Sequence, residues 1–198
     1  MSLSMPQPPA AALRAVIGAL DSPSAVRAVR TAAMRRRTGV LIPSHPLPVH
    51  LLEPVPAPSG PDGTVAALTA APRTGWRFLI RDDEEIVAAA DTRETPDGPV
   101  FSHFAEGPYP LATLRALHQA QAHIAGSPTV FLPRLLSVPG HYMTALWLHP
   151  VLDRSGAADL LIPLAPAPLG VTAHLPYDAQ RLLSSLSLGS GQLLTATH

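Results

Sequence analysis

Proline is concentrated between residues 40 and 63, where seven prolines interrupt an otherwise apolar stretch. Each proline lacks a backbone N–H, so a helix interior or a central strand would lose a hydrogen bond at every one of them. The segment is therefore predicted to be an extended, polyproline-like strap. Its apolar side chains would be costly to leave in water, which predicts that the strap lies across the core. These side chains are Leu41, Ile42, Val49, Leu51 and Leu52.

The clearest regular pattern of the chain lies between residues 108 and 150. Apolar residues at helical spacing come first and predict a helix over residues 109–125 that buries one stripe. The stripe consists of Leu111, Leu114, Leu117 and Ile124. Two apolar runs follow, Val130–Val138 and Tyr142–Leu148, separated by the turn pair Pro139-Gly140. The region thus reads as a helix followed by two strands.

Weaker patterns predict the elements on either side. Two N-terminal helices are expected, over Pro9–Leu20 and from Ser22 to just before Gly39, with Ser22 as the cap of the second. The other predicted strands are Trp76–Ile80, Ile86–Thr92, Val100–Ala105 and Asp159–Leu164. A last helix is expected from Pro176 or Tyr177 to about Leu188.

The order of these elements predicts an α+β fold. Short connections between neighbouring strands require antiparallel pairing, so we expect an antiparallel sheet of about six strands with one covering helix. Three strands precede that helix and three follow it. The predicted division is an N-terminal helical hairpin and strap over residues 1–63 and a main body over residues 64–198, packed as one unit. The hydrophobic core of the protein is expected to contain Phe104, Leu114, Leu146 and Trp147.

Composition narrows the possible partners. The chain has 14 basic and 14 acidic residues, no lysine and no cysteine. A neutral chain is a poor nucleic-acid binder, and the absence of cysteine excludes disulfides and thiolate metal sites. No apolar run reaches the roughly 18 residues that a membrane span requires. We therefore expect a cytoplasmic protein that binds neither nucleic acid nor membrane.

The chain has nine histidines, and two pairs of them are close enough in sequence to be tested for a shared metal ion. His118 and His123 lie five residues apart on one predicted helix, about 140° apart around its axis. His141 and His149 share a strand face, but they stand roughly 26 Å apart at the usual rise of a strand. Neither pair can hold one ion, and the sequence predicts no bound metal and no cofactor.

Three residues remain as candidates for catalysis. His103 and Glu106 lie near the end of the third predicted strand, and a tertiary contact would be needed to bring His118 to them. No nucleophile elbow and no glycine-rich phosphate loop accompanies them.

The sequence therefore favours binding over chemistry. A surface with few charges and many prolines is typical of a face that meets a partner. The expected function is a non-enzymatic protein-binding or assembly module that pairs as a homodimer or with another protein. The alternative is a small metal-assisted or acid–base enzyme that uses His103, Glu106 and His118.

Overall fold

A computed structural model describes residues 3–28, 34, 39–53, 61–152 and 156–194. These residues form eight strands and five helices. The strands are β1 (Leu41–Leu51), β2 (Arg73–Asp82), β3 (Glu85–Arg93), β4 (Val100–Ala105), β5 (Val130–Val138), β6 (Met143–Leu152), β7 (Leu160–Pro163) and β8 (Tyr177–Asp178). The helices are α1 (Ala10–Leu20), α2 (Pro23–Ala28), α3 (Pro61–Ala70), α4 (Tyr109–His123) and α5 (Ala179–Leu194). A single 3₁₀ turn, Pro139–His141, joins β5 to β6.

All eight strands belong to one sheet, in the order β4-β3-β2-β1-β5-β6-β7-β8. Neighbours pair antiparallel except β1 and β5, which are parallel over only three residue pairs, Val49–Leu51 against Leu135–Ser137. The sheet is thus two antiparallel halves joined by a short parallel ladder. The predicted α+β class is confirmed. The predicted six antiparallel strands correspond to β2 through β7, and the prediction lacked β1, β8 and the parallel pair.

The prediction of a structureless strap is wrong over Leu41–Leu51, because this segment is the fourth strand of the sheet. Its ladder with β2 is interrupted between Ser44 and Leu47, where His45 has a φ of 46°. Its ladder with β5 begins only after Pro48, the last proline of the strand. Up to Pro48, β1 therefore has a ladder on one side only, and proline is tolerated on such a local edge. Residues 54–60 of the predicted strap lie outside the described residues.

The helices agree with the predictions in part. Both N-terminal helices exist, and the Ala25 N–H donates to the Ser22 side-chain oxygen at 3.4 Å, as expected of a cap. Most of the predicted second helix beyond Ala28 lies outside the described residues. Helix α3 was missed because it begins within the proline-rich run; proline is favoured in the first turn of a helix. The C-terminal helix starts at Ala179 and continues to Leu194, further than predicted.

Among the described helices, only α4 covers one of the two faces of the sheet. It packs through Ala112, Ala116 and Ala120, which are buried and spaced four apart. Small side chains let the helix axis lie close to the strands. The predicted stripe is wrong at Leu111, which is 48% exposed, and Leu114 is only partly buried.

The opposite face carries two separate clusters. Helix α1 covers β2 and β3, where Ala12 and Val16 pack with Trp76 and Phe78. Helices α3 and α5 cover the other half of the sheet around Trp147. Of the predicted core residues, Leu146 and Trp147 are buried, whereas Phe104 is partly buried. The described helices leave the middle of this face, over β1 and β5, uncovered. A pocket forms there.

Candidate functional site

A pocket of about 330 Å³ opens on this face where β1 and β5 lose their ladder. Three strands and the N-terminal segment contribute its lining: Pro6, Gln7, Pro48, His50, Arg73, Trp76, Leu132, Pro133 and Arg134. Its volume is at the lower end of the range for small-molecule sites, about 300–1,000 Å³. Prolines 48 and 133 stand on the two strands that separate here, so the residues that weaken the sheet also border the pocket.

Strand alternation brings Arg134 to this place. Arg134 lies two residues before Leu136 on β5, and Leu136 packs in the cluster around Trp147. Side chains two residues apart on a strand point to the same face, so the side chain of Arg134 also points to the face that carries Trp147. The cross-strand neighbour of Arg134 is Trp147, and the guanidinium carbon lies 4.7 Å from the centre of that indole ring. This is a cation–π contact, which holds the cation at the face of the ring. Among the described residues, no carboxylate lies within ion-pair distance of Arg134.

The second arginine of the pocket is better neutralised. Arg73 Nε lies 3.3 Å from a carboxylate oxygen of Glu94, and its guanidinium carbon lies 5.7 Å from the centre of the Trp76 ring. Trp76 is buried, and its indole N–H has no hydrogen-bond partner in the described part of the chain. Among the residues that the structure describes, no acidic side chain lines the pocket. The lining is therefore cationic, with Arg134 as its less neutralised charge.

Below the pocket, one carboxylate orders two rings. Asp159 Oδ1 accepts hydrogen bonds from Trp147 Nε1 at 2.6 Å and from His149 Nδ1 at 2.9 Å. The carboxylate thereby fixes the indole on which Arg134 rests. It also selects the His149 tautomer that carries its proton on Nδ1 and leaves Nε2 as an acceptor.

His50 stands on the other side of Trp147, with its ring centre 5.3 Å from that of the indole. Its Nδ1 lies 2.9 Å from the Ala71 carbonyl oxygen, which can only accept, so Nδ1 carries the proton. Burial lowers the pKa of His50, and the nearby Arg134, Arg73 and His149 lower it further, against the hydrogen bond to Ala71, which raises it. His50 is therefore neutral at pH 7.

Burial also lowers the pKa of Arg134, and the field of Asp159 opposes that change. Removing a charge from water is costly unless an opposite charge compensates it. Arg134 is thus a partly desolvated cation that Asp159 stabilises from a distance and that no carboxylate of the described residues contacts.

The free energy of unfolding is expected to decrease as the pH falls below about 6.5. Burial lowers the folded-state pKa of His50, and those of His45 and His174, below the ordinary value for histidine, about 6.5. The unfolded chain therefore binds more protons, and stability that is present above pH 6.5 is lost as the pH falls through the folded-state values. Urea unfolding at several pH values measures this slope.

His50→Gln is the informative variant for that slope, because it removes one titrating group. The variant should lose stability less steeply with acid than the unchanged chain does. An identical slope in both proteins would contradict the lowered pKa of His50.

The residues proposed from the sequence have other neighbours. His103 lies on β4 with Nε2 3.5 Å from an oxygen of Asp91, and its Nδ1 is 3.1 Å from the Ser102 hydroxyl. His118 is exposed on α4, and it contributes to lowering the pKa of His45. Glu106 follows β4 directly. A catalytic role for His103, Glu106 and His118 stays a prediction.

The residues around the pocket were not proposed from the sequence. His50, Arg73 and Arg134 lie on three different strands, and only the order of the sheet brings them together. The alternation of β6 did place Trp147 and His149 on one face, as expected. The partner that joins them, Asp159, lies beyond a turn, and no spacing rule predicts that contact. In the described part of the chain, no group of three or more His, Cys, Asp or Glu side chains could hold a metal ion.

None of the described helices combines the length and the apolar character needed to cross a membrane. Comparison of the chain with family models, with curated proteins and with solved structures found no match in any of the three.

Proposed function

We propose that the protein is a non-enzymatic binding module that holds an anionic group of its partner or ligand against Arg134. The observation that carries this proposal is the half-buried guanidinium of Arg134, which lies on Trp147, borders an open pocket and has no carboxylate in ion-pair contact among the described residues. Arginine in such a position presents a planar fork of N–H donors that matches a carboxylate or a phosphate. The homodimer expected from the sequence stays a prediction, and the pocket does not depend on it.

The support for binding is the way the site is preorganised. Trp147 supports the guanidinium through a cation–π contact, and Asp159 fixes Trp147 through a 2.6 Å hydrogen bond. A cation held in this way loses little freedom when an anion arrives, so less binding free energy is spent on ordering it. The neutral His50 adds a ring to the lining without adding charge.

Acid–base catalysis is a second candidate, because one observation favours it. His149 has its Nδ1 held by Asp159 at 2.9 Å, the arrangement by which a carboxylate orients a histidine base. However, His149 does not line the pocket. Chemical change of a bound compound, followed by NMR over hours, would favour catalysis, whereas an unchanged compound would favour binding.

Arg134→Gln is expected to weaken anion binding by about tenfold or more. Glutamine keeps a polar side chain but removes the charge, and a hydrogen bond to a charged group contributes about 1.5–3 kcal/mol. Acetate is the probe, added at constant ionic strength. The chain has two tryptophans, and both lie at or beside the pocket, so the indole N–H signals of ¹⁵N-labelled protein report binding directly.

Arg93→Gln is the matched control, because Arg93 is an exposed arginine on β3, outside the pocket lining. It should bind acetate as the unchanged chain does, and thermal unfolding should show that both variants are folded. Acetate shifts that do not saturate, or that are equal in Arg134→Gln, would refute the proposal.

A further inference from the structure

The charge of the pocket indicates how many negative charges its ligand carries. Among the described residues of the lining, Arg73 and Arg134 are the charged side chains, and Glu94 lies 3.3 Å from Arg73. His50, whose ring donates to Ala71, adds no charge while it is neutral. Asp159 acts on Arg134 from beneath Trp147 without ion-pair contact, so Arg134 is the cation of this lining that still lacks a contacting carboxylate. A single carboxylate balances that one cation, whereas a doubly charged phosphate brings one charge in excess.

The apolar walls of the pocket indicate the chemical character of the uncharged part of the ligand. Five lining residues are apolar: Pro6, Pro48, Trp76, Leu132 and Pro133. Proline and tryptophan rings are rigid, so an apolar group that packs on them orders few side chains and keeps most of its favourable burial free energy. Flat rings match such walls better than flexible chains do. Acetate leaves these walls uncovered.

The guanidinium of Arg134 sets the position of the charged end. Its guanidinium carbon lies 4.7 Å from the centre of the Trp147 ring. The guanidinium carries its N–H donors along the edge of its plane, and no carboxylate of the described residues is in ion-pair contact with that edge. A carboxylate meets such an edge with two parallel hydrogen bonds.

We propose, building on the binding function above, that the pocket takes small organic monocarboxylates with a flat apolar body. The carboxylate binds Arg134, and the apolar body packs against Pro48 of β1 and Leu132 of β5. This selectivity combines one charge contact with apolar burial, so a ligand that lacks either part binds more weakly.

Four compounds test this at constant ionic strength, again by the indole N–H signals of the two tryptophans. Benzoate is expected to bind at least about tenfold more tightly than acetate, a difference of about 1.4 kcal/mol. Benzyl alcohol, which lacks the charge, should bind at least about tenfold more weakly than benzoate. Phenyl phosphate, which carries the extra charge, should bind no more tightly than benzoate.

Leu132→Ala is the variant that separates the two parts of the site. It should weaken benzoate several-fold more than it weakens acetate, because the apolar body of benzoate packs on Leu132, while Arg134→Gln should weaken both. Equal affinity for benzoate and acetate would overturn the apolar-body inference and leave the anion-binding function standing. Binding of neither anion would overturn both, and benzyl alcohol binding as tightly as benzoate would show an apolar site without a role for charge.

Discussion

Leu146→Ala is expected to lower the free energy of unfolding by about 2–5 kcal/mol. Leu146 has no exposed surface and stands in the middle of β6, between Leu135 on β5 and Ile162 on β7. Its side chain is enclosed from the other direction by α4. Truncation therefore removes apolar contacts and leaves a cavity that neighbouring strands, fixed by their ladders, cannot close. Urea unfolding followed by far-UV circular dichroism measures the loss.

Leu111→Ala is the control for this prediction, because it removes the same atoms from the other side of α4. Leu111 is 48% exposed, so its truncation is expected to change the free energy of unfolding by no more than about 0.5 kcal/mol. A large loss in Leu111→Ala together with a small one in Leu146→Ala would mean that α4 packs on the sheet through the leucine stripe instead of its alanines.

The orientation of α4 shows one limit of prediction from sequence. Large apolar residues at helical spacing indicated a stripe of Leu111, Leu114, Leu117 and Ile124. The structure buries Leu117 and Ile124 of that stripe, but it exposes Leu111 and buries the alanine row at positions 112, 116 and 120. Alanine has little apolar area of its own, so periodicity counts weight it weakly. Where a helix packs on a sheet, alanine is favoured because its small side chain lets the two approach closely. The pattern of the helix alone does not show that a sheet lies against it.

Strand β1 shows a second limit. Proline was expected to exclude a central strand, and this rule is sound where a strand has neighbours on both sides. The ladder of β1 with β5 begins only at Val49, after the last proline of the strand. A rule about neighbours cannot be applied until the neighbours are known. By contrast, β2 to β6 were placed well because alternation and turn residues are local signals.

The candidate site depended on the same unknown neighbours. His50 on β1 and Trp76 on β2 are 26 positions apart in the sequence, and Arg134 on β5 lies 58 positions beyond Trp76. Each alone reads as an ordinary strand residue. Only the crossover that inserts β1 between β2 and β5 makes them one pocket. A sheet order is a global property of the chain, and short-range sequence patterns do not contain it.

Gly75→Ala is expected to destabilise the fold by about 1–3 kcal/mol, at the upper end of that range. A methyl group at position 75 would collide with the carbonyl oxygen of Thr92 on the neighbouring strand. The colliding atom belongs to backbone, so a rotamer change cannot relieve the overlap. The strands are also tied together here, because the Trp76 N–H donates to the Thr92 hydroxyl at 3.1 Å. Denaturant unfolding measures the loss of stability.

Gly18→Ala makes the same chemical change where nothing opposes it, so the two glycines should respond with opposite signs. Gly18 is exposed within α1, and a methyl group there meets no atom within 4 Å. Alanine in a helix is favoured over glycine by about 0.5–1 kcal/mol, so this variant should be more stable than the unchanged chain. Because Trp76 lines the pocket and follows Gly75 directly, Gly75→Ala should also weaken acetate binding, whereas Gly18→Ala should not. Stabilisation by both substitutions would show that β2 and β3 do not approach each other closely at Thr92.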